Sequence, residues 1–286
     1  MVSLSTHINF EKYPSTNYTE RRNGGYPKIV VMHYTACPLD EALNTLTSKV
    51  SNASVHYLVS AEGKTVYSLV DEDKRSWHAG NGYWRGIDDV NSYSIGIENV
   101  NWGYTYGPVE SSNPLLQKTW MQGIHFRRRL GENGFFPSAK KTWHPFPQEQ
   151  MNTLALLSKR IIDTWSIEPE NVIGHADLAS GRKTDPGPLF PWKVLAKKGV
   201  GVWYNPDTDR IHSNKPLGVS VSWMQKNLEK WGYKVPQNGS LDPETKKAVQ
   251  AFQMHFRPEK YTGIIDEESM EILDTLLCQR DNKLDL

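Results

Sequence analysis

The chain has 286 residues, a formal net charge of +1 at pH 7 and two cysteines. Hydrophobic residues make up 38% of the sequence and the mean hydropathy is −0.59, which indicates an ordinary soluble protein. The balanced charge argues against a broad polyanion-binding surface, so no nucleic-acid partner is expected. Cys37 and Cys278 lie near opposite ends of the chain, which excludes a disulfide framework and a cysteine-ligated zinc site.

The sequence contains neither a recognisable secretory signal nor a membrane span. The first residues, MVSLSTHINFEKYPST, lack a basic region and an apolar core, and no apolar run reaches the length of a transmembrane helix. We therefore expect no transmembrane segment. The protein either stays inside the cell, has lost an export signal, or uses another export route.

Strands and helices alternate over about residues 1–200, which predicts an α/β domain. In chain order we expect a buried strand at 26–35, a helix at 38–48, a hairpin at 54–70 turning at Glu62–Gly63, a strand at 92–101, a helix at 148–165 and a strand at 170–177. Ligands gather at the carboxyl ends of strands in such sheets, and His33, Glu98 and His175 all fall at or near such ends.

An aromatic stretch at 102–143 interrupts this alternation. We interpret it as an insertion beside the cleft, with a short helix near 114–130. After the α/β domain, residues 201–216 read as a linker.

The last residues, 217–286, form a small helical unit with an internal repeat. GSLDPET (239–245) and GIIDEES (263–269) share a glycine turn, an inward aliphatic residue and an aspartate that caps the next helix. Together with the amphipathic stretch 221–233, they predict three short packed helices.

The loop GHADLASGRKTDPGPLFPW (174–192) concentrates polar side chains between glycines and prolines. A catalytic zinc site takes three N, O or S ligands and keeps one position for water. His33, His175 and Asp185 supply two imidazoles and a carboxylate, so they form a candidate metal site. The spacing alone is a weak signal, since the chain has nine histidines and glycine and proline also simply make turns.

Two further residues fit the chemistry of such a site. A zinc-bound water of lowered pKa needs a nearby base, and Glu98 on the cleft face of its strand is the candidate. Lys183, two residues before a ligand, could stabilise the oxygen of a tetrahedral intermediate. His56 and His78 compete as ligands, with a hydrogen-bonded structural or cleft role as the alternative.

Four aromatic residues could line a substrate groove or belong to the core: Trp77, Trp84, Trp102 and Tyr104. His78 is a candidate for substrate contact.

Several of these segments resemble the zinc-dependent N-acetylmuramoyl-L-alanine amidases of the AmpD/AmiD type, the amidase-2 family related to peptidoglycan recognition proteins. The segments that carry the resemblance span about residues 26–200: IVVMHYTA, SVHYLVSAEGKTVYSLV, SWHAGNGYWRG, SIGIENVN, WHPFPQEQ and NVIGHADLASGRKTDPGPLFPW. The resemblance implies a mixed central β-sheet flanked by helices. It also implies hydrolysis of the amide that joins the lactyl group of N-acetylmuramic acid, or its 1,6-anhydro form, to L-alanine.

The resemblance implies functional roles for the same five residues that were selected above from the chemistry of a metal site. It implies one Zn²⁺ held by His33, His175 and Asp185, with Glu98 as acid/base and Lys183 as the residue that stabilises the intermediate. WMQKNLEKWGY, NGSLDPETKKAVQAFQ and TGIIDEESMEIL resemble a three-helix peptidoglycan-binding domain. The implied partners are therefore peptidoglycan and muropeptides, in the bacterial envelope or, alternatively, in the cytoplasm.

Two other functions remain open from the sequence. A non-catalytic peptidoglycan recognition protein shares the fold but typically loses a ligand, whereas Asp185, Glu98 and Lys183 are all present here. A zinc hydrolase of another amide is the third alternative, and the C-terminal unit argues against it.

Overall fold

The computed structural model describes residues 8–106, 141–209 and 212–284. The strands are β1 (Phe10–Lys12), β2 (Tyr18–Glu20), β3 (Ile29–Tyr34), β4 (Tyr57–Val59), β5 (Val66–Ser68), β6 (Lys74–Ser76), β7 (Ser94–Asn99), β8 (Tyr104–Tyr106), β9 (Lys141–Trp143) and β10 (Val172–Gly174). Six of them form one sheet in the order β1-β5-β4-β7-β3-β10, while β2 pairs with β6 and β8 with β9.

The large sheet is mixed, and its centre is parallel. Strand β3 lies between β7 and β10 and is parallel to both, whereas β4 and β5 form the expected antiparallel hairpin. All six residues of β3 are buried, as its continuous apolar run predicts for a central parallel strand. Parallel pairing places the carboxyl ends of β3, β7 and β10 at one edge of the sheet.

The described helices flank this sheet and form the C-terminal unit. They are α1 (Leu39–Thr47), α2 (Val90–Tyr93), α3 (Gln148–Trp165), α4 (His175–Leu178), α5 (Trp192–Ala196), α6 (Val221–Trp231), α7 (Pro243–Phe256) and α8 (Glu267–Leu284). The predicted α/β fold with a mixed sheet and a small three-helix unit is confirmed. In the part of the chain that is described, no helix is both long enough and apolar enough to span a bilayer.

The repeated motif of the C-terminal unit starts its second and third helices. Asp242 accepts a hydrogen bond from the backbone N–H of Thr245 at 2.7 Å, and Asp266 accepts one from Ser269 at 3.0 Å. Each aspartate thereby satisfies one of the N–H groups that the first helical turn leaves unpaired.

Alternate residues of β3 face two different cores. Val30 and Met32 pack with the apolar face of α3, including Leu154. Ile29 and Val31 belong to a cluster on the opposite face that extends through Leu178 and Trp84 into the C-terminal helices. The α/β domain and the C-terminal unit therefore share one continuous hydrophobic cluster.

The described part of the expected linker packs on this cluster. Trp203 and Tyr204 lie against it with their rings stacked at 5.3 Å, and the side chain of Gln279 donates to the carbonyl of Trp203. Moving the C-terminal unit away would expose these apolar side chains to water. Their burial therefore helps to hold the C-terminal unit against the α/β domain.

Most of the aromatic insertion lies outside the described residues, including the helix expected near 114–130. Its two described ends pair as β8 and β9, with Tyr104 opposite Trp143. The predicted strands have shorter bounds in the structure, and the strand expected at 170–177 changes most: it spans only Val172–Gly174, and His175 begins α4. The chain turns there because the side chain of Asp177 accepts a hydrogen bond from the N–H of Gly174 at 2.7 Å.

Candidate metal centre and cleft

A cleft of about 490 Å³ lies at the carboxyl ends of the central strands. Its walls include all five polar residues singled out from the sequence: His33, Glu98, His175, Lys183 and Asp185. The strand register explains part of this convergence, because His33 on β3 lies directly beside Glu98 on the parallel strand β7.

Asp185 reaches the same point from the long loop. The N–H of Ala176, in the first turn of α4, donates to the carbonyl oxygen of Asp185 at 2.8 Å and ties the loop to the helix. The carboxylate oxygen Oδ2 of Asp185 lies 2.9 Å from Nδ1 of His33 and 3.0 Å from Nδ1 of His175. All three side chains are buried, and their candidate ligand atoms lie within 4.8 Å of one another.

The hydrogen-bond partner of Nε2 decides which ring nitrogen of His175 carries the proton. Nε2 lies 3.0 Å from the carbonyl oxygen of Ala79, which can only accept a hydrogen bond. Nε2 therefore carries the proton of the neutral ring. Nδ1 then turns a lone pair toward the carboxylate of Asp185.

For His33, a chain of hydrogen bonds through His78 and Ser94 decides which ring nitrogen carries the proton. The hydroxyl of Ser94 donates to the carbonyl of Val90 at 2.7 Å, so its oxygen accepts from Nε2–H of His78 at 3.0 Å. Neutral His78 then has an unprotonated Nδ1, which accepts from Nε2–H of His33 at 3.0 Å. His33 consequently also directs an Nδ1 lone pair at Asp185.

Two lone pairs and a carboxylate oxygen thus converge, and they repel one another unless a cation lies among them. Ligands of a tetrahedral zinc ion, each about 2.0–2.1 Å from the metal, are separated from one another by about 3.3 Å, close to the spacings seen here. Burial lowers the pKa of His33 to about 4, so its ring is neutral at pH 7.

His78 lines the cleft, as expected, but its ring also lies behind His33 and fixes the orientation of that ligand. The residue pattern around His78 did not predict this arrangement. Its one sequence signal is Gly96 inside strand β7, since a Cβ there would come within 2.5 Å of the His78 ring. A glycine in the interior of a strand often marks such a close approach.

The four aromatic candidates lie in different parts of the structure. Trp77 and Tyr104 line the cleft, whereas Trp102 is half-buried and lies outside the residues that form its walls. Trp84 requires a correction: it is 1% exposed and its ring lies 5.2 Å from that of Tyr233, in the core shared with the C-terminal unit. Its large apolar surface is better buried by that unit than left at the rim of a groove.

His56 is not a ligand competitor in this arrangement. Its Nδ1 accepts from the N–H of Gly96 at 3.0 Å, and its Nε2 lies 3.1 Å from the carbonyl of Lys74. Both ring nitrogens therefore have protein partners. Arg182 also lines the cleft, although it was not predicted as a site residue. Its guanidinium donates to the carbonyls of Ala79 and Asn81 at 2.8 and 2.6 Å.

Two family models match the chain. The amidase-2 model, described as N-acetylmuramoyl-L-alanine amidase, matches residues 23–188. A peptidoglycan binding domain model matches residues 218–273. The first model contains the whole candidate metal site, and the second contains α6 and α7.

Among curated proteins, the chain is similar to the N-acetylmuramoyl-L-alanine amidase AmiD of Escherichia coli K12. The two are 38% identical over 266 residues, which is 88% of this chain and 83% of AmiD. The chain is also 25% identical to the 1,6-anhydro-N-acetylmuramyl-L-alanine amidase AmpD of E. coli K12, over 67% of this chain and 94% of AmpD.

Solved structures give the same relationship. E. coli AmiD in complex with the substrate anhydro-N-acetylmuramic acid-L-Ala-D-γ-Glu-L-Lys superposes with a TM-score of 0.70 at 35% identity, covering 91% of this chain and 93% of AmiD. AmpDh3 of Pseudomonas aeruginosa also gives 0.70, at 30% identity, covering 92% and 96%. From its sequence, its fold and its cleft, the chain belongs to the amidase-2 family of N-acetylmuramoyl-L-alanine amidases and carries a C-terminal peptidoglycan binding domain.

Proposed function

We propose that the chain is a zinc-dependent amidase that hydrolyses the bond between the lactyl carbonyl of N-acetylmuramic acid and the nitrogen of L-alanine. The observation that carries the proposal is the donor set of the cleft, in which the Nδ1 lone pairs of His33 and His175 face the carboxylate of Asp185. Such a set requires a cation, and nitrogen and oxygen donors in this number suit a catalytic zinc site.

Zinc bound there would lower the pKa of a coordinated water and polarise the scissile carbonyl. We assign Glu98 the proton transfers, because it lines the same cleft beside His33. Its carboxylate accepts a proton from the attacking water and delivers it to the departing nitrogen of L-alanine. The products are a lactyl carboxylate on the sugar and a peptide with a free amino terminus.

We assign Lys183 the stabilisation of negative charge. Its backbone N–H donates to the carbonyl of Ala179 at 3.0 Å, which holds the loop two residues before Asp185. From this position the ammonium group can donate to the carbonyl oxygen as that oxygen becomes an oxyanion.

We propose that the substrate lies against the aromatic wall formed by Trp77 and Tyr104, with Trp102 as a contact at the rim. AmiD and AmpDh3 have been solved with anhydromuramyl peptides bound. We infer that this chain accepts the same class of substrate, including the 1,6-anhydro form of the sugar. His78 acts on the reaction through His33 rather than as a direct substrate contact.

We further propose a division into a catalytic domain at 1–200, a connecting segment at 201–216 and a peptidoglycan-binding domain at 217–286. The matches at 23–188 and 218–273 support this division. Polymeric peptidoglycan lies outside the cytoplasmic membrane, so a wall-binding domain favours the cell envelope as the site of action.

The proposal is tested with zinc-loaded protein and anhydro-N-acetylmuramyl-L-Ala-D-γ-Glu-L-Lys in ¹⁸O-labelled water. We expect free L-Ala-D-γ-Glu-L-Lys without label and one ¹⁸O atom in the muramyl carboxylate, as mass spectrometry would detect. Chelation should stop the release and added zinc should restore it.

Other outcomes would identify other functions. Binding of the muropeptide without cleavage would support a recognition protein. Release of a shorter fragment, with the label in the carboxylate of the amino acid left on the muramyl residue, would show that a different amide is cut. Full turnover by metal-free protein would reject the mechanism.

A further inference from the structure

The C-terminal unit contacts the catalytic domain directly beneath a proposed metal ligand. The contact centres on Asp177, which is 3% exposed and lies two residues after His175 in the single turn of α4. The C-terminal residues that reach it are Tyr233, after α6, and His255, in α7. They are 0% and 5% exposed.

Both oxygens of the Asp177 carboxylate are engaged across this contact. Oδ1 accepts a hydrogen bond from the hydroxyl of Tyr233 at 2.5 Å, and Oδ2 lies 2.8 Å from Nδ1 of His255. Oδ2 also accepts from the N–H of Gly174 at 2.7 Å. Two of these three partners therefore come from the peptidoglycan-binding domain.

The packing leaves His255 little freedom to move. Its ring is stacked between Trp192 of the catalytic domain, at 3.9 Å, and Phe256, at 4.1 Å, with interplanar angles of 15° and 11°. A buried side chain held on both faces provides a fixed hydrogen-bond partner for Asp177.

The anchored carboxylate is coupled to the metal site through the backbone. Asp177 fixes the N–H of Gly174, the residue just before His175. The N–H of Ala176, the residue just after His175, is bonded to the carbonyl of Asp185. Gly174 also packs closely on the loop, since a Cβ there would meet Pro186 at 2.6 Å. A shift of Asp177 would therefore move His175 relative to Asp185.

We propose that Tyr233 and His255 are positioning residues for the metal ligand His175, so that the peptidoglycan-binding domain forms part of the framework of the catalytic site. This inference rests on the proposed function, because it takes His33, His175 and Asp185 as the metal ligands. It assigns the C-terminal domain a second role besides wall binding, one that operates on soluble substrates too.

The test measures the zinc dissociation constant of the full-length protein by competition with a chromogenic chelator. Removal of hydrogen bonds that orient metal ligands typically weakens metal affinity by about 10–100-fold. We expect Tyr233→Phe and His255→Leu each to raise the dissociation constant by roughly tenfold. His255→Asn, which retains an N–H donor near the position of Nδ1, should restore most of the affinity.

The matched control lies in the same interface but away from Asp177. Arg85 donates from Nε to the carbonyl of Trp231 at 2.9 Å, so Arg85→Gln weakens the contact between the domains without touching the metal framework. It should lower the melting temperature while leaving the zinc dissociation constant within about twofold of the wild-type value.

The outcomes separate the two proposals. Failure of the wild-type protein to bind zinc would overturn the proposed function itself. Wild-type binding with unchanged affinity in Tyr233→Phe and His255→Leu would overturn only the positioning role. An equal loss of affinity in Arg85→Gln would also overturn it, because general loosening of the interface would then explain the effect.

Discussion

Two buried aspartates, eight residues apart, lie in very different surroundings. Asp185 lines the cleft, where the nearest imidazole nitrogens turn lone pairs toward its carboxylate. Asp177 lies at the interface between the domains, where an N–H, a hydroxyl and an imidazole surround its carboxylate. Their exposures, 8% and 3%, do not distinguish them.

The two aspartates differ in the hydrogen-bond donors that the fold places around their carboxylates. Around Asp177 the protein provides donors, so the charge is satisfied and the residue stabilises the fold. Around Asp185 the protein withholds them by committing the ring protons of His33 and His175 elsewhere. Burying a carboxylate without hydrogen-bond donors raises the free energy of the folded protein unless a cation binds to it. The fold therefore favours cation binding at Asp185, because it leaves that carboxylate without donors from the two histidines.

The largest expected effect comes from removing the metal ligand itself. Asp185→Asn should abolish tight zinc binding and lower kcat by more than about 10⁴-fold, since the catalytic groups act as a unit. The free energy of unfolding of the metal-free protein should stay the same or rise, because a carboxylate facing two lone pairs is removed. Zinc content and denaturant titrations check both, and clear destabilisation of the metal-free variant would contradict the comparison.

Glu98→Gln separates proton transfer from metal binding. The variant should keep its zinc, because the residue is not among the three ligands, while kcat falls by about 10³-fold through loss of the acid/base. Metal analysis and steady-state kinetics on the soluble muropeptide measure the two effects. Near-normal turnover would remove Glu98 from its assigned role.

Lys183→Met should act on the same step to a lesser degree. Loss of an oxyanion donor typically lowers kcat by about 10²–10³-fold. KM and zinc content should change little, since the ammonium group acts mainly in the transition state. A change confined to KM would show that Lys183 binds substrate instead.

Asp177→Ala tests the other half of the comparison. It removes the acceptor of three donors at the interface, and breaking such a buried network should cost about 3 kcal/mol in the free energy of unfolding. This sign is opposite to the one expected for Asp185→Asn in the metal-free protein. Equal stability of the variant and the wild type would show that the interface does not depend on Asp177.

His56 extends the comparison to a histidine whose two ring nitrogens are both satisfied. Burial lowers its pKa to about 3, against about 6.5 in the unfolded chain. Below pH 6.5 the unfolded chain binds a proton that the folded protein excludes, so stability decreases as the pH falls toward 3.

Between pH 7 and pH 5 this one group should cost the wild type about 2 kcal/mol. His56→Gln should lose that part of the pH dependence, although it is less stable at pH 7. Denaturant titrations of both proteins at the two pH values measure the difference. Parallel losses in the two proteins would show that His56 is not the group responsible.

Much of the fold follows from local pattern. The periodicity of 148–165 predicted a helix with the bounds of α3, and the apolar run around β3 predicted a buried central strand. The starts of α7 and α8 were predicted from their capping aspartates. These features depend on neighbours in sequence, so a single chain displays them directly.

The members of the candidate site were also selected from the sequence, because metal chemistry needs particular donor types at strand ends. Their roles stay predictions. Trp84 shows where such reasoning fails: the sequence made it a candidate for the substrate groove, but the C-terminal unit covers it. The residue type shows which contacts a side chain is able to make, but only the packing of the folded chain decides which of them it makes.

The sequence by itself determined the order of the main strands and helices, the aspartate caps of α7 and α8, and which side chains could bind a metal. The tertiary structure decided which nitrogen of each histidine ligand faces Asp185, because the deciding partners are far away in sequence: His78 is 45 residues from His33, and Ala79 is 96 residues from His175. It likewise decided that Asp177 is held by Tyr233 and His255, 56 and 78 residues further on. Local periodicity cannot encode such pairings, since they exist only once the sheet and the C-terminal helices have packed together.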